Sequence, residues 1–197
     1  MNDSTLTNLS RRSAMAGLGA SGIGLALATS LRQSSAQTPI SDLSGHPFTG
    51  TWMTLANPAL PDMPQVPHIA IASADGAFIA VTPVSDIGPN GPVLQTPLVG
   101  IWEAYDDRRA HFVASQTLSS FDGVVVGMVT VDGYPLVSED GMSFADDGEL
   151  VTVTIRDANG VVVDSFPGAG GRPVRGNRLE IGNATFPEVL PAATPTT

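Results

Sequence analysis

Turn residues set the rhythm of this sequence. From Thr49 onward, short runs rich in β-branched and aromatic residues are cut off at close intervals by turn signals. Ala74-Asp75-Gly76, Asp122-Gly123, Asp140-Gly141, Asp146-Asp147-Gly148 and Asp157-Ala158-Asn159-Gly160 all mark hairpins. Asp106-Asp107-Arg108 turns the run from Val99 to Tyr105 into the run from Arg109 to Ser119. No stretch after the N-terminal region repeats its apolar residues at the helical period. In Leu150-Val151-Thr152-Val153-Thr154-Ile155, Val151, Val153 and Ile155 share one face and the threonines the other.

Two Pro-rich segments interrupt the strands. One runs over 57–67 and the other over 83–98, and both read as loops. Eight or nine strands remain, joined mostly by tight turns. Consecutive antiparallel strands favour a meander, and closing a meander removes its edges. The expected fold is therefore all-β, a single antiparallel up-and-down barrel, with a β-sandwich as the alternative.

The N-terminal region has a different character. Ser10-Arg11-Arg12 precedes a Gly/Ala/Leu-rich run from Ala14 to Leu31, followed by Arg32 and the small-x-small pattern Ser34-Ser35-Ala36. Paired Arg before a mildly apolar run resembles the twin-arginine export signal. The alternative is an uncleaved anchor, which the glycines of the run weaken. The expected layout is a signal peptide over 1–36, a flexible lead-in over 37–48, a β-barrel domain over 49–186 and a disordered Pro/Thr-rich tail over 187–197. The expected location is the periplasm or the outside of a bacterial cell.

Composition narrows the chemistry. The 197 residues include no Cys, and all nine basic residues are Arg. Disulfides, thiolate metal sites, catalytic thiols and Schiff-base lysines are excluded. Removing 1–36 leaves six Arg against eighteen acidic residues, a net charge of −12. Such a surface repels nucleic acid and anionic membranes, and suits a neutral, cationic or apolar ligand.

Gly50-Thr51-Trp52 opens the first strand. A G-x-W here resembles the signature of lipocalins and related calycin-type barrels. That resemblance implies a Trp closing one barrel end and an Arg from the last strand packed across its ring, here Arg178 or Arg175. The disulfide, second turn motif and C-terminal helix of classical lipocalins are missing. A second G-x-W at Gly100-Ile101-Trp102 lacks matching flanks and reads as coincidence. Gly100 to Glu103, Asp157 to Gly160 and Val174 to Arg178 also resemble elements of secreted bacterial proteins that share this strand rhythm. A fainter likeness to allene oxide cyclase-like barrels implies that such a barrel can serve as an enzyme.

Candidate chemistry is sparse. His46, His68 and His111 show no local metal-pair spacing. The acidic pairs Asp106-Asp107, Glu139-Asp140 and Asp146-Asp147 sit in turns, where Asp is expected for its own hydrogen bonding. No metal or cofactor is expected. No G-x-S-x-G marks a serine nucleophile. Glu103 and His111 are symmetric about Asp107 and so face each other across a hairpin. They form an acid/base pair if they point into a cavity, and a solvated pair if they point outward. Tyr105 and Tyr134 are further catalytic candidates. Met53, Phe78, Val113, Met128 and Phe166 are expected to line the barrel interior, which eight strands can either fill or leave open to one small ligand.

Three functions fit these residues. The first is a binding protein for a small apolar or amphipathic molecule, with a cavity of at least about 300 Å³. The second is a barrel enzyme of the cyclase or isomerase kind. The third is a surface structural or interaction module without a ligand. The residues leave the oligomeric state open.

Overall fold

A computed structural model describes residues 42–57, 64–88, 91–168 and 172–188. Residues 1–36, expected to be a signal peptide, and most of the tail over 187–197 lie outside the described residues.

The strands are β1 Gly50–Ala56, β2 Val66–Ala72, β3 Ala77–Val81, β4 Ser85–Gly88, β5 Gly91–Gln95, β6 Leu98–Ala104 and β7 Ala110–Ser119. They continue as β8 Val125–Gly133, β9 Leu136–Val137, β10 Ser143–Asp146, β11 Thr152–Asp157, β12 Val162–Pro167 and β13 Val174–Arg178. Among the described residues there is no helix. All thirteen strands belong to one strongly curled antiparallel sheet, a half-barrel. Its order is β12-β11-β8-β7-β6-β3-β2-β1-β13-β10-β9, with the β4–β5 hairpin attached to β7 through β5.

The strand count exceeds the expected eight or nine for two physical reasons. The long run that follows Asp122-Gly123 is broken in the middle. Tyr134-Pro135 separates β8 from β9, where Pro has no N–H to give a ladder. Asp147 to Val151 separate β10 from β11, and the Gly-rich stretch after Pro167 separates β12 from β13. In addition, the segment 83–98, expected to be loop, contains the β4–β5 hairpin. Pro67 also falls inside β2. It is tolerated there because pairing with β3 begins only at Ile69, leaving Pro67 without a neighbour on that side.

At one end the sheet returns on itself. β9 pairs with β10 on one side, and on the other the Arg109–Leu136 bridge ties it to the start of β7. The Ala110 N–H donates to Pro135 O and the Val137 N–H to Arg108 O. At the other end β12 is an edge strand.

The returning end holds the densest packing. Trp52 is 0% exposed and Trp102 2%, and each indole N–H donates to a backbone carbonyl, of Phe48 at 2.8 Å and of Ser73 at 2.9 Å. Phe48 stacks on Trp52 and meets Trp102 and Phe144 edge-on. Residues 42–48, read from sequence as part of a flexible lead-in, contribute Leu43 and Phe48 to the core. Leu43 and Phe48 are buried, the Leu43 N–H donates to Ala74 O, and Thr49 Oγ1 donates to Leu43 O. Pro187, read as the start of a disordered tail, is also buried.

The turns share a device. Ser73-Ala74-Asp75-Gly76, Ser120-Phe121-Asp122-Gly123 and Ser138-Glu139-Asp140-Gly141 repeat the pattern Ser-x-Asp-Gly. In each, the Ser hydroxyl donates to the Asp carboxylate and the Gly N–H donates to the Ser carbonyl. The Gly takes a φ of 84°, 85° and 73° respectively, which costs a side-chain-bearing residue strain.

Candidate functional site

The inward side chains of the curled sheet surround a cavity of about 380 Å³. Its floor is aromatic. Phe48, Phe78, Phe112 and Phe144 all line it, with Phe78 and Phe112 stacked at 4.4 Å. Two glycines make room for this floor. A Cβ at Gly133 would meet the Phe112 ring at 2.5 Å, and one at Gly176 would meet Phe144 at 2.1 Å. The walls are aliphatic, including Leu98, Leu118, Val129, Val131, Val153 and Ile155.

Strand alternation decides which expected cavity residues arrive there. Phe78 and Phe166 line the cavity. Met53, Val113 and Met128 do not. Their neighbours Trp52, Thr54, Phe112, Ala114 and Val129 face inward, so each of the three points to the outer face. The misreading has a cause: the outer face is itself apolar in places, with Ile71, Ile79, Val99 and Ile101 exposed there. Hydrophobicity alone therefore does not separate the two faces.

The polar lining is unevenly spread. Thr82, Asp86, Gln95 and Gln116 lie around the inserted β4–β5 hairpin and the neighbouring part of β7. His68 also lines the cavity, and burial lowers its pKa to about 4 against the opposing pull of Asp86, so it is neutral at neutral pH. Asp146 is 6% exposed, and its carboxylate accepts N–H bonds from Tyr134 at 2.7 Å and Gly148 at 3.1 Å. Burial nevertheless raises its pKa. Among the described residues no group of His, Asp and Glu is arranged to hold a metal ion.

The candidate signature residues meet at the floor's underside. The Arg178 guanidinium lies 4.4 Å from the Trp52 ring centroid. Arg178 pairs directly with Trp52 in the β1–β13 ladder. It donates to Gly141 O at 2.7 Å, to Thr49 O at 2.9 Å and to Pro47 O. A Cβ at Gly50 would collide with this guanidinium. Arg175, the alternative, borders instead a more open hollow of about 440 Å³ with Arg108, Pro187 and Glu188. The interior cavity is the better enclosed of the two, and apolar side chains dominate its lining.

The weak catalytic candidates also come together, but outside. Glu103 pairs with His111 in the β6–β7 ladder, with Glu103 Oε1 3.1 Å from His111 Nδ1. Asp132, which the sequence did not single out, lies 3.0 Å from His111 Nε2. Tyr134 stacks on His111 at 4.5 Å and meets Tyr105 edge-on. Trp102 points into the core, so Glu103 points out, and its side chain is 70% exposed. Neither of the two cavities is lined by these side chains. The pair that would have supplied acid/base chemistry inside the barrel is therefore a solvated surface network. His46 takes a structural role, accepting the Phe48 N–H at Nδ1 and packing on Trp102.

Compared with family models, curated proteins and solved structures, the chain matches none.

Proposed function

We propose that this protein is an exported, lipocalin-like binding protein that holds one small apolar or amphipathic molecule inside its curled sheet. The observation that carries this reading is the cavity of about 380 Å³, with an aromatic floor and aliphatic walls. Its size falls within the range of small-molecule sites, and apolar walls with a few polar groups are their usual lining. An open apolar interior forfeits packing contacts that a filled core would gain, so a ligand of matching shape recovers them.

The finer fold in this reading is an up-and-down barrel of eight positions. The broken pairs β8–β9, β10–β11 and β12–β13 each occupy one position, and β4–β5 is an insertion. The pairing of β1 with β13 and the bridge from Arg109 to Leu136 support it. So does Arg178 over Trp52, the arrangement that the Gly50-Thr51-Trp52 resemblance implies. Export rests on the paired Arg11-Arg12 and the run that follows them. A chain that folds before crossing the membrane can carry its ligand with it.

A cyclase or isomerase reading would rest on His68, held neutral beside Asp86 within the cavity, since Glu103 and His111 face away. Native mass spectrometry of protein purified from its own host tests binding directly. A retained small molecule at one per chain is expected. Bare protein mass at every collision energy, together with no uptake of added apolar compounds, would overturn the binding reading.

A further inference from the structure

Two buried oxygens of the cavity lining have no hydrogen-bond partner among the described residues: Thr82 Oγ1 and Gln116 Oε1. Thr82 is only 9% exposed. The free oxygen of Gln116 is fixed by a chain of donors and acceptors. Pro83 O is a carbonyl and can only accept, so Gln95 turns its Nε2 toward it at 2.8 Å. Gln95 Oε1 then faces Gln116 and accepts from its Nε2 at 2.9 Å. This leaves Gln116 presenting its carbonyl oxygen, an acceptor that no protein donor meets. A buried, unmade hydrogen bond is costly, so a ligand that meets such a group in a cavity gains affinity by it.

Charge decides what kind of polar atom. Asp86, Asp146 and Asp164 line the same cavity, while no Arg does, and the chain has no Lys. A carboxylate or phosphate head would be desolvated among acids with no cation to meet it, and an ammonium, which only donates, gives the Thr82 hydroxyl no acceptor. An apolar molecule without a donor would leave Gln116 Oε1 unpaired. We infer that the cavity selects apolar molecules bearing an uncharged hydrogen-bond donor, an alcohol head, placed against Gln116 Oε1 and Thr82 Oγ1. The alcohol O–H donates to Gln116 Oε1, and its oxygen accepts from the Thr82 hydroxyl. The rest of the molecule lies along the aliphatic walls toward the Phe78 and Phe112 floor.

This inference rests on the binding reading, and the test separates the two. The full chain is loaded with Nile red, a neutral apolar fluorophore, and displaced with decanol, decyl methyl ether, decanoate and decylamine. Decanol is expected to displace at a concentration about tenfold lower than the ether, the worth of one buried hydrogen bond, and lower than either charged analogue. Gln116→Leu and Thr82→Val are each expected to narrow the gap between decanol and the ether. Equal displacement by decanol and its ether, or tighter binding of the acid or the amine, would overturn the head-group selection and leave the binding reading standing. Failure of the unmodified chain to bind Nile red or any of the four compounds would overturn the binding reading itself.

Discussion

Arg178 ties three carbonyls, of Pro47, Thr49 and Gly141, to the face of Trp52, and so joins the lead-in, the first strand and a distant turn. Replacing it with Gln removes the charge and leaves at least one carbonyl unmet. The expected cost is about 3 kcal/mol, read as a lower urea midpoint with an unchanged slope. His68 makes a prediction of a different kind. Its folded pKa of about 4 lies below its unfolded value near 6.5. Above pH 6.5 neither state binds the proton, and the stability is intact. As pH falls from 6.5 toward 4 the unfolded chain takes up a proton that the fold refuses, and stability is lost. Between pH 7 and pH 4.5 the expected loss is about 2 kcal/mol. Asp146, with its raised pKa, acts in the opposite sense at the acid end. The difference between the parent and a His68→Leu variant isolates the histidine: the variant should lose that much less over the same window in urea unfolding. Trp52 and Arg178 were legible in the sequence because a tripeptide and a late Arg carry the resemblance. The Glu103–His111 pairing was legible from the symmetry of its turn, but its face was not, because nothing local says which way Trp102 points. Asp132 was hidden for another reason. It reaches His111 across the β7–β8 ladder, whose register shifts at Leu118/Ser119, and a shift of one residue inverts the faces.

Among the elements, the strands and hairpins were largely readable, since Asp-Gly turns mark their ends. The Ser-x-Asp-Gly repeat was present in the same letters and explains why those hairpins are so regular. The β4–β5 hairpin was missed because Pro83, Pro89, Pro92 and Pro97 argue for loop. Yet β5 pairs with β7 only at Leu94 and Gln95, so Pro92, paired with Ile87 on one side, has no strand on the other, where a missing N–H costs little. This hairpin matters for the site, since Asp86, Ile87, Val93 and Gln95 line the cavity. The glycines under the aromatic floor carry a prediction. Gly176 pairs with Phe144 across the β10–β13 ladder, and the ring stands where a side chain at 176 would begin. Phe144 also meets Phe48 and Trp52 edge-on, so moving the ring aside disturbs both contacts. Gly176→Ala is therefore expected to destabilise by roughly 2 kcal/mol, seen as a lower Tm. A neutral or stabilising result would mean that the ring moves freely and that the floor is loosely packed.

At the scale of the molecule, one end is packed and the other is hollow. Trp52, Trp102 and Phe48 fill the end where the sheet returns on itself, and the cavity begins above Phe78, Phe112 and Phe144. No pattern of single residues announces this division. It follows from where the broken strands part, with β9, β10 and β13 around the packed end and β8, β11 and β12 along the hollow one. Under the proposed function the hollow is a ligand site. Titration of the full chain with Nile red, beside a Val131→Trp variant whose indole occupies the cavity, tests it most directly. The parent is expected to bind saturably at one per chain, and the variant, with an equal or higher Tm, at least tenfold more weakly. Binding of equal strength by both chains would place the dye elsewhere and contradict the ligand-site reading.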